Sequence, residues 1–330
     1  MTSPNTPQLQ ELNVLKFYGI LLVVLGHVTA IYTPMSLIVP NIPSTTLITV
    51  KEWIYTFHMP MFIFVSGCVF AYQLEVKQKT MSFKSLFINK AKRLMIPFFV
   101  FGLFMVYPTM VLLGFRDPVH YLIDGFFLLI DPRHLWFVAA LFLIFLLFFG
   151  LRQICLWLKL PVWTVTIIAL ILHLVPFHTI YFQIGNVEEY FLWFSVGYLF
   201  ITQKQVVKYI IAAIALGWCV HAALPEITPT NILDIYKAIT GIALFYILSI
   251  KTLNIQHTRL YQLIAPNSFG IYLFHAMIIY WLEYYASPYA IPPVVLTLCV
   301  FVTSIAISVA LTIAVRRLGW GVVIGERSKS

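Results

Sequence analysis

Ten stretches of mostly apolar residues fill this chain: 12–33, 52–74, 94–114, 134–157, 162–177, 181–201, 206–224, 232–250, 262–285 and 292–315. A helix needs about 20 such residues to cross a bilayer core. Only helices and closed barrels satisfy their backbone polar groups in lipid, and stretches of this length read as helices. The expected fold is therefore all-α: a polytopic membrane helical bundle of about ten transmembrane helices, forming one membrane-embedded domain over residues 1–330. Composition agrees, with 61% hydrophobic and only 10% charged residues. A water-soluble domain carries roughly 25% charged residues. A cytosolic enzyme, a secreted module and a disordered chain are thereby excluded.

Two stretches are less regular. The fifth is pinned between Pro161 and Pro176, and the sixth opens on Gln183, Asn186, Glu188 and Glu189. The pair is either two crossings or a non-crossing hairpin. Val119–Ile130 is too short to cross and carries His120 and Asp124, so it is expected to be interfacial or re-entrant. The first stretch lacks a basic flank and a small-residue cleavage site and is expected to be a retained span, not a signal peptide.

Basic residues set the orientation. Most of the 21 Lys and Arg residues fall in alternate connections: Lys77 to Arg93, Arg152 and Lys159, Lys204 and Lys208, Lys251 and Arg259, then Arg316, Arg317, Arg327 and Lys329. The opposite face has Lys51, Arg116, Arg133 and Lys237. Both termini are expected to be cytoplasmic. The net charge of +9 is then a product of membrane topology, and no nucleic-acid partner is expected. The lysine-rich stretch Met81–Leu94 has the pattern of an amphipathic helix on anionic lipid or of a basic rim for a phosphate-bearing ligand.

Ionisable groups inside a span are costly and usually face the protein interior. Lys16 and His27 lie in the first stretch, eleven residues and therefore about three turns apart, on one face and about 16 Å from each other. His58 is expected at a depth similar to His27 on the next span, followed by Pro60, which breaks the hydrogen-bond ladder, and by Ser66 and Gly67, which permit close helix contact. Ser268, Tyr272 and His275 share a helical face, either as a polar seam or as a site. His134 and Trp136 open the fourth span and by position alone are interfacial anchors. Glu188, Glu189, Asp234 and Glu283 lie near span ends and are expected to be solvated. His173 and His178 carry no further signal. The four cysteines sit far apart in apolar runs, as inert buried thiols. No phosphate-binding loop, HExxH helix or GxSxG elbow is present, and no metal is expected.

Four stretches together resemble the acyltransferase-3 family of bacterial integral-membrane O-acyltransferases, near its sugar O-acetylases. They are Lys16-x10-His27, where the family commonly has Arg in place of Lys; Phe57-His58-Met59-Pro60 through Ser66-Gly67; Arg93-Leu94-Met95-Ile96-Pro97; and His134-Leu135-Trp136-Phe137 with Ser268 through His275. The likeness runs the length of the chain. It implies acetyl-CoA as acyl donor, with no permanently bound cofactor, and a saccharide or glycolipid acceptor such as an exopolysaccharide. It also implies a place in the bacterial cytoplasmic (inner) membrane. It makes His27 and His58 the expected catalytic residues. Lys16, Lys92, Arg93, His134, Trp136, Ser268, Tyr272 and His275 are the expected substrate- and donor-binding residues.

In that reading a neutral His27 takes the proton of a sugar hydroxyl as it attacks the thioester, an effect worth about 10²–10⁴ in rate. His58, Ser66 or Trp136 supplies a hydrogen bond to the developing oxyanion. An acetyl-imidazole on His27 is the alternative chemistry. A proton-coupled carrier or flippase for a lipid-linked sugar is the rival from another class, since intramembrane His and Lys also suit transport. The chain shows no internal repeat of the kind many transporters carry. A purely structural scaffold leaves the His pair without a purpose.

Overall fold

The computed structural model describes residues 7–177, 179–203, 215, 217–219, 221, 222 and 230–326. Most of the expected seventh span, and with it His178, Lys204, Lys208, Arg327 and Lys329, lies outside the described residues. Among the described residues every regular element is helical, in keeping with the expected all-α class. Seven helical runs among the described residues are long and apolar enough to cross a membrane: 10–32, 45–76, 83–112, 133–157, 232–251, 259–286 and 293–317.

Along the chain, α1 (Pro7–Thr29) is the first of these, and it carries both Lys16 and His27. The second run is broken into α2 (Thr45–Tyr55) and α3 (His58–Ala71), with Phe57 at φ −138° between them. Pro60 has no N–H to offer the carbonyl four residues back, so the ladder opens where the sequence predicts. The third run comprises α4 (Phe83–Lys90), α5 (Ile96–Phe101) and α6 (Tyr107–Leu112), joined by wide π-type turns at Ala91–Met95 and Gly102–Val106. The expected amphipathic helix is thus continuous with the third span instead of a separate surface element. Ser82 starts it by accepting from Ser85 N at its Oγ, while Ser85 Oγ accepts from Ser82 N, a reciprocal cap.

The non-crossing piece expected at 119–130 is α7 (Pro118–Leu122) with one further π turn. Asp117 caps it, accepting from Val119 N, His120 N and the His120 ring, and these bonds hold its carboxyl below the usual carboxylate range. Next come α8 (Trp136–Trp157), α9 (Thr164–Leu174) and α10 (Ile184–Thr202). At 11 residues α9 is about 16 Å long, roughly half of what a crossing needs. The chain continues with α11 (Thr230–Lys251), α12 (Arg259–Ile264), α13 (Ser268–Ala286) and α14 (Pro293–Arg317).

These elements form two compact units, interleaved along the chain. The first comprises residues 1–55, 92–135 and 245–330; the second, 56–91 and 136–244. In the second unit α3 and α10 touch backbone to backbone. A Cβ on Gly67 would run into the carbonyl of Phe194, and one on Gly197 into the carbonyl of Phe64. Two glycines facing each other's helix let the axes approach as closely as small residues do in membrane bundles. Around that contact the rings of Phe70, Phe145, Phe148 and Phe194 pack edge to face or tilted, with centroids 4.9–6.2 Å apart. Arg152 reaches Glu75 at 2.6 Å and Tyr198 at 3.0 Å, which ties α8 to α10.

In the first unit α1 packs against α2, α13 and α14. Gly270 of α13 admits Thr312 of α14. Arg316 grips Glu326 through Nε and Nη2 and Asn267 through Nη1 at 2.9 Å, fastening the C-terminal turn Gly321–Ile324 to the start of α13. Two of the cysteines depart from expectation. Cys68 and Cys155 are buried, but Cys219 and Cys299 are exposed, because an apolar residue on a span can face outward as well as inward.

A histidine cluster as candidate active site

Three imidazoles meet in the first unit. His27 comes from α1, His134 from the tight turn Arg133–Leu135, and His275 from α13. The His27 and His275 rings are edge to face with centroids 4.8 Å apart, and those of His134 and His275 are 5.6 Å apart.

Each ring has one nitrogen tied to a backbone carbonyl. His27 Nδ1 bonds Val23 O, one turn back in its own helix, at 2.9 Å. His275 Nδ1 is shared between Tyr272 O at 2.8 Å and Ile271 O at 3.0 Å. His134 Nε2 reaches across to Leu273 O at 3.2 Å. A carbonyl oxygen can only accept, so the bonded nitrogen carries a proton in every case, and in the neutral ring the other presents a lone pair. The three remaining nitrogens, His27 Nε2, His134 Nδ1 and His275 Nε2, are therefore all acceptors. His134 Nδ1 and His275 Nε2 are buried with no hydrogen-bond partner among the described residues. His275 is wholly buried, at 0% exposure, and His134 nearly so, whereas His27 is partly exposed. Of the three rings, that of His27 is the one not fully buried.

The turn that delivers His134 is unusual. Arg133 adopts φ +50°, a left-handed conformation costing roughly 1–2 kcal/mol for a residue with a side chain. Tyr272 holds it in place by donating its hydroxyl to the His134 carbonyl at 2.5 Å. Ring to backbone one way and hydroxyl to backbone the other, two bonds join this turn to α13. On the far side of His27, Gly26 leaves room for Tyr55; a Cβ there would lie 3.0 Å from the Tyr55 ring. The Tyr55 ring is 6.4 Å from that of His27, and Lys51 Nζ sits 4.2 Å from its centre. Among the described residues no group of three or more His, Cys, Asp or Glu is arranged to hold a metal ion.

A family model described as an acyltransferase domain, that of acyltransferase-3, matches residues 9–313. The chain belongs to the acyltransferase-3 family. No curated protein and no solved structure matches it. A membrane acyltransferase is thus the frame in which the remaining acyltransferase-3 residues are placed.

Of the residues singled out from the sequence, His27, His134, Tyr272 and His275 come together. Ser268 is the first residue of the same helix, on the turn before Tyr272. Lys16 is partly exposed on α1, and Lys92 and Arg93 are exposed on the π turn that opens the third span. His58 begins α3 and is buried, and Trp136 begins α8 with its ring 5.0 Å from Tyr190; both belong to the second unit. Ser66 donates its hydroxyl to Phe62 O at 2.9 Å, which occupies the one proton an oxyanion would need.

Two carboxylates overturn their expectation. Glu283 is only 4% exposed and Glu188 only 3%, not solvated. Glu188 Oε2 accepts from Phe177 N at 3.1 Å, a bond that draws it inward. Glu283 lies eleven residues after Tyr272, the same spacing that relates Lys16 to His27, so both pairs share a helical face.

Proposed function

We propose that this acyltransferase is a membrane-bound O-acetyltransferase that moves an acetyl group from cytoplasmic acetyl-CoA to a hydroxyl of a surface polysaccharide or lipid-linked sugar. The observation that carries the reading is the cluster of three imidazoles, each bonded to a carbonyl and each left as an acceptor. With no proton to share among themselves, the free nitrogens call for a ligand that donates one. A hydroxyl does.

In this mechanism His27 Nε2 accepts the hydroxyl proton as the oxygen attacks the thioester carbonyl carbon. The bond from Nδ1 to Val23 O holds the ring in the tautomer that leaves Nε2 free and supports the imidazolium that forms. The tetrahedral intermediate collapses, the carbon–sulfur bond breaks, and the departing thiolate takes the proton back from His27. His134 and His275 fix the position of the base and place no competing donor beside it. In this reading the exposed Lys92 and Arg93 meet the phosphates of a donor arriving from the cytoplasmic face, with Lys16 on the His27 helix nearer the donor's arm. Lysine in place of the family's usual arginine keeps the charge but not the two-pronged grip. Placement in the bacterial inner membrane follows from the same reading.

The test uses the purified full-length chain with acetyl-labelled CoA and a saccharide acceptor. Label on the saccharide supports the proposal, and saccharide crossing a proteoliposome membrane without label supports a carrier. His27→Ala at normal expression is expected to abolish transfer, and near-wild-type transfer by that variant overturns the mechanism.

A further inference from the structure

Beside the basic rim at Arg93, the end of the chain lays a carboxylate on a guanidinium. Arg316, on the last turn of α14, donates from Nη1 to Asn267 Oδ1 at 2.9 Å. Asn267 is buried, and its own amide donates to Leu263 O at 2.7 Å, so its oxygen is fixed toward the arginine. The guanidinium is thus anchored through one nitrogen, and Nε and Nη2 present its other edge as a fork. Glu326 fills that fork. Nε lies 3.0 and 3.1 Å from the two carboxylate oxygens, and Nη2 lies 2.6 Å from Oε1. A guanidinium edge of this kind matches a phosphate as well as it matches a carboxylate.

The residue before Glu326 is seated on the rim itself. A Cβ on Gly325 would stand 2.6 Å from the carbonyl oxygen of Arg93 and 2.9 Å from the ring of Phe269. Two consecutive residues therefore meet Arg93 and Arg316. They close a short strap, the turn Gly321–Ile324, which is flanked by glycines at φ +78° (Gly319) and +71° (Gly325). Ile324 is buried beneath it, whereas the side chains of Arg316 and Glu326 are 38% and 39% exposed. Ion pairs so exposed add little to stability. The strap is held by Ile324 and Gly325, and Glu326 answers the charge of the arginine.

We propose that Arg316 is a further phosphate-binding residue of the donor site and that Glu326 occupies it as an internal substitute, an autoinhibitory contact that a phosphate of the donor displaces. This rests on the acetyl-CoA reading above and adds regulation to it. CoA carries a diphosphate and a 3′-phosphate, and Lys92, Arg93 and Arg317 are exposed on the same unit as Arg316. Displacement exchanges one anion for another on a guanidinium that Asn267 keeps in place, so the exchange asks only the glutamate side chain to swing away. While Glu326 stays in the fork, an arriving phosphate meets a filled site and a like charge.

The test is equilibrium binding of CoA to the detergent-purified full chain, with pantetheine, which lacks the phosphates, as comparison. Glu326→Gln keeps the length of the side chain and leaves Ile324 and Gly325 in their seats. It is expected to tighten CoA binding about threefold to fivefold, the competition that one exposed ion pair offers, and to leave pantetheine binding unchanged. A gain of affinity on removing an ion pair is what a merely structural contact does not give. Arg316→Lys, which keeps the charge but not the fork, is expected to weaken CoA several-fold and decides the matter if the glutamine variant does not fold. The proposal is overturned if Glu326→Gln binds CoA no more tightly than the wild type, or tightens pantetheine as much. Unchanged CoA binding by Arg316→Lys overturns it as well, and in each case the acetyl-CoA reading stands. A wild-type chain that binds no CoA overturns that reading instead.

Discussion

His27 and His275 lie edge to face at 4.8 Å, yet they are built for different work. One is partly exposed, and the other is wholly buried. Alanine at each should therefore separate chemistry from structure. His27→Ala is expected to lower acetyl transfer by about 10²–10⁴ with a Tm near wild type. His275→Ala is expected to lower Tm clearly, because it opens a cavity and removes the donor to Ile271 O and Tyr272 O. Thermal melts of the two purified variants, run beside the transfer assay, check the division. Equal Tm losses would show that His27 is as structural as its neighbour.

The glycine contact between α3 and α10 makes a second expectation. Gly67→Ala places a methyl against the carbonyl of Phe194, and Gly197→Ala does the same to Phe64. Both obstacles are backbone, which cannot rotate away as a side chain would. Each variant should be destabilised by about 1–3 kcal/mol, the cost of overpacking a tight interface. Because the two glycines serve one contact, the double variant should cost less than the two single losses added together. Additive losses would mean that the helices adjust at each position separately.

Much of this architecture is legible in the chain because lipid simplifies the code. Apolar length marks the spans, Pro60 marks the break before His58, and Ser66-Gly67 marks a close helix approach. Periodicity on one helix correctly pairs Tyr272 with His275. What the sequence does not reveal is contact between segments far apart in it. His134 reads as an interfacial anchor until the bond from its ring to Leu273, 139 residues away, is seen. Glu283 reads as solvated because a position near a span end carries no information about what covers it. The left-handed conformation of Arg133 is equally silent, since arginine has no preference for it.

A third expectation concerns the rim at Arg93. Pro97 has no N–H to give the carbonyl of Arg93, and Gly325, at φ +71°, seats the C-terminal turn against that oxygen. A Cβ at Gly325 would stand 2.6 Å from it. Gly325→Ala should displace the turn and with it the π turn carrying Lys92 and Arg93. The expected result is a several-fold rise in KM for acetyl-CoA, with kcat nearly unchanged at saturating donor. Arg93→Ala should raise KM further, by about tenfold, the loss of one charge-assisted contact. A fall in kcat without a change in donor KM would place the rim away from the donor.

The last expectation tests how the turn at His134 is held. Tyr272 donates to the His134 carbonyl, and the His134 ring donates to Leu273 O, so α13 fixes the turn at two points. Tyr272→Phe removes the first bond and leaves a buried carbonyl unpaired, at a cost of about 1–3 kcal/mol. That loss works against a turn already strained at Arg133. Because the turn carries His134, which in the proposed mechanism fixes the base that meets the acceptor hydroxyl, its relaxation should lower kcat and raise acceptor KM together. Donor KM should stay at its wild-type value, since Lys16, Lys92 and Arg93 lie on other segments. Measuring the three constants in one series decides the matter: a variant that loses only stability, with all three unchanged, would show that the hydroxyl of Tyr272 supports the fold and not the geometry of the site.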